Sequence, residues 1–543
     1  MSGAPAIAAA PSTEDAARAF VEEIEARVDP LMRDSGIHSW DAATGGGQEA
    51  LERASAARAA VSLLFADAEG AAKVRGWLEG GEIRDPLLRR RLELLGYEYT
   101  RSQLPPDTIH DLVRRGAELE HVFTTFRSVF RGERLSNNEL LEAFQASADA
   151  ELRREAWEAS KEIGREVAGP LRELVRRRND AARSLGFPTY YAMELHLQEL
   201  GEDRLFAVLD EFRDRTDEPF RRFRQEMDAK LAGRFGISVD ELRPWHWDDF
   251  FAQEAPSVSG HVELDAWFRE RDLVATASEF FRGIGLDVDD VLARSDLFER
   301  EGKDQHAFCV DVDRGGDVRV LCNLRPNEKW MATLLHEMGH AAYDRYIPTD
   351  LPFMLRTIAH TLSTEAIAMY MGRLPRDPAW LRDVVEARVD EAQAADIRAQ
   401  QRAAMLVSAR WMLVMVYFER ELYRNPDRED LNTLWWDLVE RLQFIRRPEG
   451  RDAPDWASKI HLSLSPVYYH NYLLGELMAS QVSAHARRSV PEGRSIAGHP
   501  EVGAFLREKI FAPGATLTWN QLLVHATGEE LTPRFFVDEF VGA

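Results

Sequence analysis

At 543 residues and 61.8 kDa, with 45% hydrophobic and 29% charged side chains, the chain suffices for one large two-lobed unit or two to three ordinary domains. Its formal net charge of −24 argues against nonspecific binding to nucleic acid or to an anionic membrane. No apolar run approaches the ~18 residues of a spanning helix, and residues 1–11 lack the basic start of a secretory signal, so a cytoplasmic protein is expected.

Taken in order, residues 13–83 alternate alanine, leucine, glutamate and arginine at helical spacing, which predicts two or three helices broken at Gly45-Gly46-Gly47. Residues 151–183 read as one long helix stopped by Gly186-Phe187-Pro188, and further helices fit 200–232 and 262–284. Between them Pro244-Trp245-His246-Trp247 is loop-like, its aromatics suited to core packing or to a cleft wall. Strand character gathers at 306–323, a predicted hairpin turning at Arg314-Gly315-Gly316-Asp317. The two cysteines, Cys309 and Cys322, flank it; a turn centred on the glycine pair sets them opposite each other, close enough to bridge in an oxidising compartment. Reduced thiols are the expected state in a cytoplasmic protein. After residue 378 helices are predicted at 380–423, 429–443 and 466–487, with no repeat and no low-complexity linker. The pattern is a mostly helical protein with one small sheet and no clean domain boundary.

The segment His336-Glu337-Met338-Gly339-His340 follows the hairpin. On a helix its two histidines share a face and point at one metal ion, with Glu337 beside them to take a proton from water. That is the donor set of a zinc peptidase, in which Zn2+ has an open position and a carboxylate base. With 15 histidines in the chain, chance supplies such a match about 0.04 times. A third ligand is required. Glu365, an isolated carboxylate in the apolar helical run 361–370, is the leading candidate, because coordination offsets the cost of burying it; pairing with Arg356 is the alternative. His360 precedes that helix, and Asp344, one turn beyond His340, suits support of a ligand or plain solvation at the surface.

Peptide hydrolysis also needs donors for the developing oxyanion. Lys459, His461, Tyr469 and Tyr472 lie in one compact stretch, and the two tyrosines share a helix face, which equally fits half-buried core residues.

The zinc motif, followed by Arg356 and then Thr364-Glu365-Ala366-Ile367, resembles the angiotensin-converting-enzyme family of zinc peptidyl-dipeptidases, in the gluzincin group that also holds the thimet-type oligopeptidases. The resemblance extends to His306-Ala307, thirty residues ahead of the motif, and to Lys459-x-His461 and Tyr469-x-x-Tyr472. Over 154–190, Trp157, Pro170, Leu171, Asn179 and Ala182 are similar to a helical segment of both families. It implies a mainly α, two-lobed ellipsoid with a deep central channel and a small active-site sheet, residues 1–543 forming one catalytic unit. Residues 13–83 would then be a helical lid and 300–490 the core of the zinc site. The resemblance further implies that His336, His340 and Glu365 bind one zinc and that Glu337 is base and then acid. Tyr472 would stabilise the oxyanion, His461 would bond the carbonyl side of the substrate, Lys459 and Tyr469 would grip its C-terminal carboxylate, and His306 and Ala307 would hold its backbone. The expected activity is release of dipeptides from the free C-terminus of short peptides by a monomer or weak dimer. Internal cleavage by an oligoendopeptidase is the alternative, and carboxypeptidase action or a peptide-binding scaffold stand further off.

Three departures qualify the resemblance. Asn471 replaces the arginine that binds chloride in the animal enzymes, so chloride-independent activity is expected. Met369 replaces the aspartate that supports a zinc-binding histidine, and the spacings around Glu365 and around His461 and Tyr472 differ by about one residue. The family's glutamine partner of the lysine is not identifiable in the sequence.

Overall fold

Helix-forming residues dominate the chain, and the computed structural model, which describes residues 12–256 and 262–542, is accordingly built mainly of α-helices with two small two-stranded sheets. The reading of residues 1–11 as lacking a signal lies outside the described residues. No described helix is long and apolar enough to cross a membrane.

The chain opens on four helices: α1 (Thr13–Ala43), α2 (Gly47–Phe65), α3 (Ala68–Gly80) and α4 (Pro86–Ser102). Three of them fill the segment expected to hold two or three, and the Gly45–Gly47 break is real: Gly45 and Gly47 sit at φ 97° and 68°, a region that costs other residues strain. A capping box between Ser12 and Asp15 starts α1. The stripe Ala17, Val21, Ile24 and Val28 of α1 packs in one cluster with Leu88, Leu92, Leu95 and Tyr99 of α4, together with Phe353 and Met354 from far along the chain. This core is separate from the main one.

The expected single helix over 151–183 is two, Ala150–Ser160 and Ile163–Ser184. At the junction Lys161 is buried and donates to the Phe250 carbonyl at 2.8 Å, and the Trp245-His246-Trp247 segment packs inward, with Trp247 buried. A helix over 262–284 forms only as Leu273–Gly283, capped by Asp272; ahead of it lies one 3-10 turn, Leu264–Trp267. A small hairpin that the sequence did not announce, β1 (Ser128–Phe130) and β2 (Glu133–Leu135), comes before them.

The expected hairpin is present as β3 (Phe308–Asp311) and β4 (Val318–Leu321), but in a different register. Phe308 pairs with Leu321 and Cys309 with Val320, so Cys309 and Cys322 are not opposite each other, and both are free thiols. The turn is drawn toward its aspartates: Asp311 accepts the Arg314 N–H at 2.9 Å, and Asp313 accepts those of Gly315 at 2.8 Å and Asp317 at 3.0 Å. Two aspartates, rather than the glycine pair, set the register.

Behind the hairpin stand α5 (Glu328–Arg345), α6 (Thr361–Gly372), α7 (Glu391–Arg424) and α8 (His470–Ala486). Helix α6 is clasped between α5 and α8 at positions without side chains. A Cβ on Gly339 of α5 would stand 2.8 Å from the Ala368 Cα, and one on Gly475 of α8 would stand 3.1 Å from the Met369 sulfur. Glycine lets the backbones approach, and that approach fixes the three helices against one another.

Candidate metal centre and substrate site

Helix α5 starts where the Asn327 side chain accepts the Trp330 N–H at 2.9 Å. Two turns on, His336 and His340 project from one face, their rings 4.9 Å apart and nearly perpendicular. Across the α5–α6 contact Glu365 Oε2 lies 3.7 Å from His336 Nε2 and 3.9 Å from His340 Nε2. One ligand atom from each of the three residues falls within 4.8 Å of the others.

The donor set fits a metal ion. Two atoms each 2.0–2.1 Å from a tetrahedral zinc stand roughly 3.4 Å apart, close to these separations. Burial pushes the imidazoles down to about 4 for His336 and about 3 for His340, so both are neutral at pH 7, with lone pairs free for a metal. Burial also raises the Glu365 carboxyl, whose hydrogen bond is from the Tyr468 hydroxyl at 3.4 Å. The ion pair with Arg356 is not formed; that guanidinium lies over the Phe353 ring. A half-buried carboxylate beside two neutral imidazoles lacks a cation, and a metal would supply one. The ring of His340 is oriented by a 2.7 Å hydrogen bond between its Nδ1 and Thr364 Oγ1, which leaves Nε2 toward Glu365. His360 caps α6 instead, its Nδ1 accepting the Leu362 N–H at 2.9 Å.

Glu337 is buried beside the triad, and burial first, then the Glu365 charge, raises its carboxyl to about 8. Asp344 is not a solvated surface group. Burial, then Asp311, pushes its carboxyl well above the usual range, against the pull of Arg314. Strand β3 packs against α5, and Cys309 on it feels the charges of Asp344 and Glu337. His306 and Ala307 lead into this strand; His306 is exposed, with its backbone N–H on Asp304 at 2.9 Å.

From Glu365 a run of aromatic contacts leads to Lys459. The Tyr468 ring stands 5.3 Å from Tyr472, and Tyr472 another 5.3 Å from Tyr469. Tyr469 lies 5.1 Å from the His461 ring and accepts the Trp411 indole N–H at 2.8 Å. Trp411 and Phe251 flank the Lys459 ammonium at 5.3 and 5.1 Å, and Lys459 donates to Gln253 Oε1 at 2.8 Å. Burial lowers Lys459 to about 8 and His461 to about 4. Gln253 is thus a glutamine partner of Lys459 in this structure, where the sequence had pointed to none. Its loop is wound around Asp249, which accepts the backbone N–H groups of Phe251, Gln253 and Glu254 at 2.9–3.1 Å. No periodicity or motif marks Gln253, Thr364, Trp411 or Tyr468; the adjacency of Thr364 to Glu365 was the one available signal.

Asn471 donates to Gln198 Oε1 at 3.1 Å, and His470 meets the same oxygen at 3.0 Å. Met369 packs toward Gly475 and gives no polar support to a histidine.

Two family profiles match the chain in complementary halves: peptidase family M3 over residues 292–542, and angiotensin-converting enzyme (peptidase family M2) over residues 11–221. The chain is a gluzincin relative of both. The M3 match holds the histidine–glutamate triad, and the M2 match holds the four opening helices. Among curated proteins, it is 29% identical to thermostable carboxypeptidase 1 of Pyrococcus furiosus over 113 residues, 20% of this chain and 22% of that protein. It is 24% identical to carboxypeptidase 1 of Bacillus subtilis over 264 residues, 43% of this chain and 51% of that protein. The chain spans about half or less of the length of these relatives.

Proposed function

We propose that the protein is a zinc metallopeptidase that releases dipeptides from the free C-terminus of short peptides. The observation that carries this reading is the Lys459 ammonium, anchored by Gln253 at 2.8 Å and joined through Tyr469, Tyr472 and Tyr468 to Glu365 of the triad. A buried lysine with a fixed position recognises a carboxylate as a point charge.

In this reading His336, His340 and Glu365 hold the zinc, which when bound supplies Lewis-acid chemistry toward a carbonyl and a water. Glu337, buried beside the triad, takes the proton of the attacking water and later returns it to the leaving amine. Tyr472 donates to the oxygen on which charge develops, and neutral His461 donates to the carbonyl side. Lys459 and Tyr469 bind the terminal carboxylate, and His306 and Ala307, at the head of β3, meet the peptide backbone. Helices α1 to α3 act as a lid over residues 300–490.

A second reading is favoured by the curated relatives, which are named carboxypeptidases: removal of a single C-terminal residue. Both readings need the free carboxylate, and the oligoendopeptidase alternative does not. The test compares a short peptide with its C-terminal amide and identifies the products. Strong preference for the acid with a dipeptide released is expected; a single amino acid would establish the carboxypeptidase, and equal cleavage of acid and amide at one bond would remove both.

A further inference from the structure

The carboxylate grip as described has two arms, the Lys459 ammonium and the Tyr469 hydroxyl, and a third residue touches both. Trp411 stands in the middle of α7, 2% exposed, with Tyr469 at 7% and Lys459 at 8%. Its indole N–H donates to Tyr469 Oη at 2.8 Å, and its ring face lies 5.3 Å from Lys459 Nζ. We infer that Trp411 is the positioning residue of the carboxylate subsite, setting the direction in which Tyr469 donates its proton.

The argument follows from what each group is able to do. An indole N–H only donates, so in this pair Tyr469 accepts. The phenol oxygen then has one lone pair occupied, and its own proton is turned away from Trp411. Among the described residues the Tyr469 hydroxyl has no other hydrogen-bond partner, so that proton is free for an incoming acceptor. Without the indole N–H the hydroxyl would rotate freely, and holding it on a carboxylate would cost rotational freedom.

Lys459 is constrained by the same ring. Its ammonium has three donors and among the described residues makes one hydrogen bond, to Gln253, while Phe251 and Trp411 flank it. Two donors stay open, and two aromatic faces hold the charge without competing for them. Both arms therefore leave donors unspent in the neighbourhood of one indole. This arrangement suits an anionic acceptor with two oxygens, which is what a peptide's C-terminal carboxylate presents. The inference rests on the carboxylate reading above, and it adds that recognition depends on a residue that never touches the substrate.

The test uses Trp411→Phe, which keeps an aromatic face for Lys459 while removing the donor together with part of the ring, beside Tyr469→Phe and the double variant. For each zinc-loaded enzyme kcat and KM are measured on a short peptide and on its C-terminal amide, and calorimetry gives the affinity for the product bearing the free carboxylate. With Trp411→Phe the acid's KM should rise about tenfold, as for a lost hydrogen bond to a charged group, with kcat little changed. Product affinity should weaken by the same factor, and the amide's kinetics should not move. In the Tyr469→Phe background the second substitution should add nothing, because Trp411 acts through that hydroxyl. Equal losses on acid and amide would show a merely structural tryptophan, and losses that multiply in the double variant would show independent action; either overturns the inference. A wild-type enzyme that treats acid and amide alike overturns the carboxylate reading itself, whereas discrimination that survives Trp411→Phe overturns only the role of Trp411.

Discussion

Glu337 and Lys459 are buried ionisable groups that desolvation shifts toward their neutral forms. Replacing Glu337 by glutamine preserves shape and removes the base, so Glu337→Gln should retain zinc and lose at least roughly 100-fold in activity; near-normal turnover would take Glu337 out of the mechanism. Lys459 gives a pH prediction. Burial lowers its ammonium to about 8, so the charge that attracts a carboxylate is present below that pH and lost above it. The ratio of kcat/KM for a free-acid peptide to that for its amide should fall by about tenfold per pH unit beyond the transition, because the titration of Glu337 is common to both substrates and cancels. Parallel profiles would place the titration elsewhere. Asn471 carries no charge, and its amide donates to Gln198, so activity in sodium chloride and in sodium acetate at equal ionic strength should agree. At this scale the histidine pair and Glu337 were legible because helix periodicity alone brings them together. Gln253 was not, because it reaches Lys459 from 206 residues away through a loop shaped by Asp249. Thr364 replaces in effect what Met369 lacks: a polar partner for one histidine of the candidate triad.

At the scale of elements, the candidate metal centre is a property of the α5–α6 contact, and Gly339 inside the His336–His340 motif is what lets the two helices meet. The Thr364 hydroxyl then holds the His340 ring from the facing helix. Thr364→Val keeps the shape and β-branching but loses the acceptor, so metal affinity should fall by about tenfold to a hundredfold, as when a histidine loses its outer partner. Competition with a graded chelator measures this, with circular dichroism as the control on folding; unchanged affinity would assign the ring's orientation to packing alone. The long helices were legible from their spacing, and α6 was foreseen through its apolar positions. Other features were not. The split near Lys161 depends on a distant carbonyl, and the unwound stretch before Leu273 depends on where Asp272 caps. The register of β3 and β4 depends on aspartate side chains rather than on the glycine pair that marked the turn. Each is a tertiary or side-chain effect that periodicity does not encode.

At the scale of the whole molecule, α1 to α4 share a core with Phe353 and Met354 that is distinct from the main one, and polar ties join them to the rest. Arg90 is the principal one. Its guanidinium pairs with Glu199, bonds the Ala515 carbonyl at 2.9 Å and reaches Glu93 within its own helix. The Arg90 and Glu199 side chains are 5% and 9% exposed, so removing the arginine leaves a buried carboxylate without its cation, a change that costs about 3–5 kcal/mol. If the opening helices are a separately stable unit over the site, Arg90→Ala should loosen them before anything else. Amide exchange in 13–102 should accelerate by orders of magnitude, while α5, α6 and α8 keep their protection and the metal stays bound. Access should change with it, since a lid held less firmly admits longer peptides, so the rate on a long substrate relative to a short one should rise. Exchange that accelerates equally across the chain would show one cooperative body. In that case the separation of the two cores would be a matter of packing and would carry no gating role.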